Sequence, residues 1–242
     1  MISPVWRLIP YLDGPGALHM ALDEWLLSQH QHHGHPPSLR FYTWKPAAIS
    51  LGLSQHRAYP PHWQQLTWQG QPLELVPRPS GGRGVLHQGD LTYALVTSAA
   101  GSRQQVYAHL CQFLIEGWRR LGLELRFGDP NPHYGRSPNC FSQATAADLI
   151  TQTGRKFIGS AQLKRGMAVL QHGSMQIGGD PCLFEQVFQT PAPPPLPQSL
   201  PALPTLIEVL TAAAAHCLDV ELRIQPLSPQ EWQQVIKGQK MA

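Results

Sequence analysis

The sequence predicts an α+β fold in which a mixed, largely antiparallel sheet is flanked by helices. Strand-like runs at 148–152, 156–162 and 167–177 are separated by short turns that contain glycine, and such turns indicate antiparallel neighbours. Helical spacing of apolar residues predicts a first amphipathic helix at 16–28 and a longer one from Val106 to Leu121, which Gly122 terminates.

Composition and charge are typical of a globular protein and exclude several functional classes. Of 242 residues, 42% are hydrophobic, and the net charge of +3 is too small to indicate nucleic-acid binding. A slightly basic surface suits an acidic protein partner. There is neither a signal-peptide pattern nor a run of 18 apolar residues, so a cytoplasmic protein is predicted. The four cysteines are widely spaced, which favours free thiols in a reducing compartment.

The N-terminal half contains a polar, histidine-rich stretch between predicted elements. Residues 29–37 include four histidines and are interpreted as a solvated loop, because no scaffold is evident that would arrange them around a metal. Two short strands around Pro46 are expected at 39–53. Further strands are expected at 73–77 and 91–97, on either side of a glycine-rich loop.

In the C-terminal half, neighbouring strands at 156–162 and 167–177 would let Lys156 and His172 approach one site. Residues 190–204 contain seven prolines and are interpreted as a connector. Capping boxes at Thr205–x–x–Glu208 and Ser228–Pro229–x–Glu231 predict two further helices around a strand at 220–224. The predicted organisation is a catalytic domain at 1–189, a connector at 190–204 and a small helix–strand–helix unit at 205–242.

Four kinds of residue carry possible chemistry. Glycines of the loop at 78–84 (RPSGGRG) allow backbone N–H groups to approach a ligand, although a tight structural turn explains them equally well. The loop is not a GxxxxGK[ST] phosphate loop. Cys140 lies in a predicted loop, where a nucleophilic thiol has access to solvent, whereas Cys111 is expected to be a packed helix thiol. Lys156 is expected at the surface of a strand end. His87 and His172 are either neutral buried donors or bases.

The order of these motifs resembles the lipoate and biotin protein-ligase family, on the branch of cysteine-dependent octanoyltransferases. The segments that carry the resemblance are DGPGALHMALDE, RPSGGRGVLHQGDLTY, NCF, GRKFIGSAQ and LQHGSM, between about residue 12 and residue 188. Ligases of the family activate a free acid with ATP and need no cysteine. The segment Ser137 to Phe141 matches the PxCF segment of the octanoyltransferases, whereas Asp90 stands where many ligases have asparagine. The family fold agrees with the predicted sheet.

The resemblance implies an acyltransferase that carries octanoyl from acyl carrier protein to a lysine of a lipoyl domain or of the glycine-cleavage H protein. No ATP is required, because the thioester donor is already activated, and no cofactor, metal, nucleic acid or membrane is implied. Cys140 would be the nucleophile and Lys156 would bind the acyl carbonyl. The implied substrate-binding residues are Arg78, Ser80, Gly81, Gly82, Arg83, His87, Gly159, Ser160, His172 and Gly173.

Two other functions stay open. An ATP-dependent lipoate–protein ligase would hold an adenylate in the glycine loop, and Cys140 would be incidental. A non-catalytic protein with this fold would carry or sense a lipoylated partner. Biotin ligase is disfavoured, because RPSGGRG replaces the GRGRRGR run of that branch.

Overall fold

A computed structural model of the protein describes residues 4–129, 147–196 and 199–239. The strands are β1 (Val5–Gly14), β2 (Ser38–Trp44), β3 (Ala48–Leu51), β4 (Thr67–Trp68), β5 (Gln71–Pro72), β6 (Glu74–Pro77), β7 (Val85–His87), β8 (Leu91–Ser98), β9 (Leu125–Phe127), β10 (Leu149–Thr151), β11 (Lys156–Arg165), β12 (Ala168–Met175) and β13 (Glu221–Ile224). The helices are α1 (Gly16–His33), α2 (Arg103–Arg120), α3 (Pro181–Phe188), α4 (Leu203–Leu218) and α5 (Pro229–Gln239). Within these ranges no helix combines the length and the apolar character that crossing a bilayer requires.

The main sheet has the strand order β13-β1-β2-β8-β12-β11-β10-β9. Strand β1 pairs in parallel with β13 and β2, whereas the other neighbours are antiparallel. A smaller sheet, β6-β3-β7, lies beside it, and the glycine loop at 78–84 joins β6 to β7. The predicted mixed, largely antiparallel α+β fold is therefore confirmed.

Helix α2 covers one face of the main sheet. It begins at a capping box in which the Ser102 hydroxyl accepts from the Gln105 N–H and the Gln105 side chain accepts from the Ser102 N–H. Its apolar stripe buries Phe113 and Trp118 completely. Helix α4 packs so closely on α2 that a Cβ at Gly117 would lie 2.7 Å from the Leu210 side chain.

Helices α1 and α5 cover the opposite face, and α1 is longer than predicted. Residues 29–33 of the supposed loop continue the helix, which ends where Gly34 adopts a left-handed conformation with φ +67°. His30 stabilises the last turn, because its ring bonds the His35 carbonyl at 2.8 Å and the Ser98 hydroxyl at 2.8 Å. A polar sequence was mistaken for a loop because its tertiary partner is distant along the chain.

The C-terminal elements confirm one capping box and correct the other. Ser228 and Glu231 exchange the expected hydrogen bonds at the start of α5. Helix α4 instead begins at Leu203 without a side-chain cap, because Pro204 fits the first turn of a helix, where its missing N–H is not needed. Thr205 therefore lies inside the helix. Strand β13 extends the main sheet, and the proposed division of the chain at residues 189 and 204 stays a prediction.

Candidate functional site

A pocket of about 330 Å³ lies where the glycine loop approaches the main sheet. It is bounded by residues of α1, α2, β2, β3, β7, β8, β11 and β12. Predicted site residues on its surface are Arg78, Gly81, Gly82, His87, Gly159, Ser160, His172 and Gly173. Ser80, Arg83 and Lys156 are not among the described lining residues, and Cys140 lies outside the described part of the chain.

One wall of the pocket is apolar and aromatic. Met20, Tyr42, Trp44 and Val85 line it, and all four are buried. The Trp44 ring stacks on His87 with 3.8 Å between ring centroids, and its Nε1 donates to Thr92 Oγ1 at 3.0 Å. The wall thus offers an alkyl group a surface whose polar atoms already have partners.

The Arg78 guanidinium shapes the glycine loop. It donates to the carbonyls of Ser50, Gly81 and Arg83 at 2.7–3.2 Å and to the Ser50 hydroxyl at 3.0 Å. Gly82 has φ +96°, in the left-handed region that favours glycine. Arg78 was predicted as a pocket residue, and its contacts show that it also braces the loop from within.

Two hydrogen-bonded Asp–His–Ser groups support this loop. In the first, the Asp23 triad, Asp23 Oδ2 lies 3.0 Å from His172 Nδ1, and His172 Nε2 lies 2.5 Å from Ser80 Oγ. Arg40 donates to Asp23 Oδ1 at 2.6 and 2.9 Å. Burial alone would raise the pKa of Asp23, but Arg40 and His172 outweigh it and hold the pKa below its ordinary value. An ionised carboxylate only accepts, so His172 Nδ1 carries a hydrogen.

The second group, the Asp90 triad, approaches the loop through Ser50. Asp90 Oδ2 lies 2.7 Å from His87 Nδ1, and His87 Nε2 lies 2.9 Å from Ser50 Oγ. Burial lowers the pKa of His87 although Asp90 opposes the effect, so the ring is neutral. Since the Ser50 hydroxyl accepts from Arg78, its own hydrogen is directed to His87 Nε2. In both histidines, each ring nitrogen has a hydrogen-bond partner inside the protein. This agrees with the buried role, one of the two alternatives that the sequence left open.

His19 completes the polar layer beneath the pocket. Arg40 Nη1 lies 3.3 Å from His19 Nδ1, which must accept, and His19 Nε2 lies 2.9 Å from the Thr43 carbonyl, to which it donates. Burial, with the nearby Arg40 charge, lowers the pKa of His19 to about 3. The ring is thus neutral at pH 7.

Lys156 is buried, which corrects the expectation of a surface lysine. Its side chain is 2% exposed, and Nζ lies 2.8 Å from Asp148 Oδ1. Asp148 itself lines the pocket. Lys156 and His172 are not cross-strand partners, because the β11–β12 register places His172 opposite Ala161. That both approach one site stays a prediction.

The floor of the pocket depends on small residues in β11 and β12. Tyr93 donates to Ser160 Oγ at 2.8 Å, and the Tyr107 hydroxyl donates to the carbonyls of Ala147 and Ser160. A Cβ at Gly173 would lie 2.4 Å from Ser160 Oγ. The glycine therefore lets Ser160 reach the pocket surface.

The three described cysteines, Cys111, Cys182 and Cys217, do not line the pocket. Cys111 is fully buried, and burial raises the pKa of its thiol to about 12, which confirms the packed thiol predicted on α2. Cys217 is half-buried and burial raises its pKa as well. Cys182 lies exposed on α3.

The sequence did not single out the partners that hold the predicted residues. Asp23 and His19 are four residues apart on the buried face of α1. Two polar residues at positions i and i+4 on an otherwise apolar helix face could have predicted a buried hydrogen-bond network. Arg40, Ser50 and Asp148 have no comparable local signal. The missed residues that line the pocket or belong to its network include Met20, Asp23, Arg40, Tyr42, Trp44, Ser50, Val85, Asp90, Arg103 and Asp148.

Solved structures of lipoate ligases share the fold. Lipoate-protein ligase A bound with ATP matches with a TM-score of 0.79 at 19% identity, covering 99% of this chain and 95% of that one. The bipartite lipoate protein ligase of Thermoplasma acidophilum matches with a TM-score of 0.76 at 18% identity, covering 99% and 93%. At these identities the likeness concerns the fold alone.

Sequence comparisons give the family. The profile described as "Lipoyl protein ligase A/B catalytic domain" matches residues 15–207. Octanoyltransferase LipM of Geobacillus kaustophilus is 36% identical over 203 residues, which cover 79% of this chain and 72% of that protein. Octanoyltransferase LipM of Bacillus subtilis is 33% identical over 207 residues, with the same two shares. The chain belongs to the lipoyl protein ligase A/B catalytic-domain family, as its motifs had indicated.

Proposed function

We propose that this protein is an octanoyltransferase that carries the octanoyl group as a thioester on Cys140. The donor is octanoyl-acyl carrier protein, and the acceptor is a lysine of a lipoyl domain or of the glycine-cleavage H protein. The observation that carries the proposal is the similarity to octanoyltransferases over 79% of the chain. These relatives support an acyltransferase of protein lipoylation, and the PNCF segment supports Cys140 as its nucleophile.

In the first half-reaction, the Cys140 thiolate attacks the carbonyl carbon of the donor thioester. A carbon–sulfur bond to Cys140 forms as the bond to the phosphopantetheine sulfur breaks. The departing thiolate takes up the proton that Cys140 released. One thioester replaces another, so this step is nearly balanced in free energy.

In the second half-reaction, the acceptor lysine attacks the acyl-enzyme as a neutral amine. A carbon–nitrogen bond forms, the bond to Cys140 Sγ breaks, and the surplus proton of the nitrogen passes to the Cys140 thiolate. An amide is more stable than a thioester, so neither ATP nor a redox cofactor is needed.

Both steps develop negative charge on the carbonyl oxygen, and Lys156 is the proposed donor to it. The ammonium is held by Asp148 one hydrogen bond behind the pocket surface. A preoriented cation in a water-poor site stabilises an oxyanion without reorganising at the moment of reaction. Its charge near a thiol would also lower the pKa of Cys140 and favour the thiolate.

The apolar wall is the proposed binding site of the octanoyl tail. Met20, Tyr42, Trp44 and Val85 would remove methylene groups from water, each worth about 0.8 kcal/mol. Because Trp44 and Tyr42 donate their polar hydrogens within the protein, the tail would leave no buried donor unsatisfied.

An ATP-dependent lipoate ligase is the second candidate, since solved proteins of this fold include a ligase bound with ATP. The test compares two reactions on one lipoyl-domain acceptor, followed by intact mass. We expect transfer from octanoyl-acyl carrier protein without nucleotide, and little from octanoate or lipoate with ATP and magnesium. ATP-dependent modification that persists in Cys140→Ala would make the protein a ligase. No modification under either condition would favour a binding protein.

A further inference from the structure

The pocket has an open end, marked by its exposed lining residues. Most of its surface is buried, but Gly82, Arg103 and Ala147 are exposed. Arg103 is the first residue of α2 and lies one helical turn before Tyr107, whose hydroxyl contacts the Ala147 carbonyl. Residues four apart share a helix face, so Arg103 stands over the entrance on the side that faces the pocket.

The Arg103 guanidinium is not used by the fold. Within the described residues it makes no hydrogen bond or ion pair, in contrast to Arg78, whose guanidinium is bound to loop carbonyls. Asp148, the acidic residue that lines the pocket, is engaged by Lys156. The N-terminus of α2 is already capped by Ser102 and Gln105. The entrance therefore carries the positive charge of the Arg103 side chain.

A second cation, Lys164, reaches the turn that precedes Arg103. Lys164 is on β11 two residues beyond Gln162, which lines the pocket, and alternate residues of a strand share a face. Its Nζ lies 3.4 Å from the Gly101 carbonyl, at the turn that leads into α2. The long side chain thus reaches the start of the helix that presents Arg103.

We propose that Arg103 and Lys164 bind the phosphate of the donor's phosphopantetheine arm. The inference rests on the proposed function, because such an arm must enter this pocket with its octanoyl end foremost and the thioester behind it. A phosphate group would then remain outside at the entrance. Guanidinium groups bind phosphate oxygens through paired N–H donors, and an ammonium adds a point charge.

The test uses donors that differ only in that phosphate: octanoyl-4′-phosphopantetheine and octanoyl-pantetheine. In wild type we expect KM to be roughly tenfold lower for the phosphorylated donor, the scale of one partly exposed charge-assisted contact. Arg103→Gln should remove most of this preference while kcat changes little, and Lys164→Gln should reduce it less. Salt should weaken the preference, because exposed charges are screened.

Arg120→Gln, at the other end of α2, is the matched control and should keep the full preference. Equal KM values for the two donors in wild type would overturn the proposal. So would an Arg103→Gln effect confined to octanoyl-acyl carrier protein, which would assign the charge to the carrier's acidic surface. Calorimetric titration with phosphopantetheine and pantetheine tests the same contact without turnover. Phosphate-dependent binding in a protein that transfers no octanoyl would sink the proposed function and uphold the site, whereas its absence would overturn the site.

Discussion

Two walls of the pocket are buried but use their polar groups differently. The loop wall is the glycine loop at 78–84 with the two triads behind it, and the lysine wall is Asp148 with Lys156 behind it. On the loop wall, the two triads and Arg78 direct their hydrogen bonds into the protein, so the polar groups maintain the shape of the loop. On the lysine wall, Asp148 both lines the pocket and holds Lys156. Burial thus maintains the shape of the loop on one side. On the other side, in the proposed mechanism, it would place the Lys156 charge near the acyl carbonyl.

The two triads themselves differ in how the aspartate charge is balanced. Asp23 is paired with the buried Arg40 guanidinium. Asp90 accepts three hydrogen bonds on Oδ2, from His87, Thr92 and Ser174, and its Oδ1 has no partner among the described residues. Asp23 is therefore balanced by an ion pair, whereas Asp90 is balanced by several hydrogen bonds to one oxygen.

The two triads should differ most in the free energy of unfolding that is lost when the aspartate is neutralised. Asp23→Asn leaves Arg40 buried without a counter-charge and should lower the free energy of unfolding by about 3–5 kcal/mol. Asp90→Asn can keep its oxygen at the position of Oδ2 and place its amide where Oδ1 has no partner, so about 1–2 kcal/mol is expected. Urea denaturation of both variants at pH 7 measures the difference. If both variants lose the same free energy of unfolding, the two aspartates are not stabilised in different ways.

The next effect tests whether the lysine wall serves chemistry. Lys156→Ala should lower the rate of octanoyl transfer about 100- to 1000-fold, the scale of a lost oxyanion contact. It should also destabilise the fold, because Asp148 loses a buried partner. The double variant Lys156→Met with Asp148→Leu removes both charges and should recover stability without recovering transfer. A double variant that transfers octanoate at the wild-type rate would reduce Lys156 to a structural residue.

A smaller effect is expected from pH. His19 has a folded pKa of about 3 and an unfolded value near 6.5, so the unfolded chain binds more protons below pH 6.5. The free energy of unfolding therefore decreases as pH falls from about 6.5 towards 3. His19 contributes about 2 kcal/mol of this decrease between pH 7 and pH 5. His19→Gln should show a shallower decline than wild type, whereas the exposed His32→Gln should not. If stability declines equally with pH in wild type and both variants, His19 is not the buried neutral group that causes the decline.

The sequence predicted the elements that border the pocket better than it predicted the contacts that support them. Local patterns located the glycine loop, the strands that carry Ser160 and Gly173, and helix α2. The Asp23 triad joins residues that are 149 and 92 positions apart, and no periodicity spans such distances. Lys156 was taken for a surface residue because its burial depends on Asp148 and on tertiary packing. Local propensity describes an element, whereas the environment of its side chains is decided by the elements that pack on it.

The Cys140 thioester can be detected by intact mass after the protein is mixed with octanoyl-acyl carrier protein. With no acceptor present, we expect wild type to gain the mass of one octanoyl group, located at Cys140 and released by hydroxylamine. Cys140→Ser should gain no hydroxylamine-labile adduct, and Cys111→Ser, in the buried thiol on α2, should behave as wild type. An unmodified wild-type protein, together with equal transfer to acceptor by wild type and Cys140→Ser, would contradict the account.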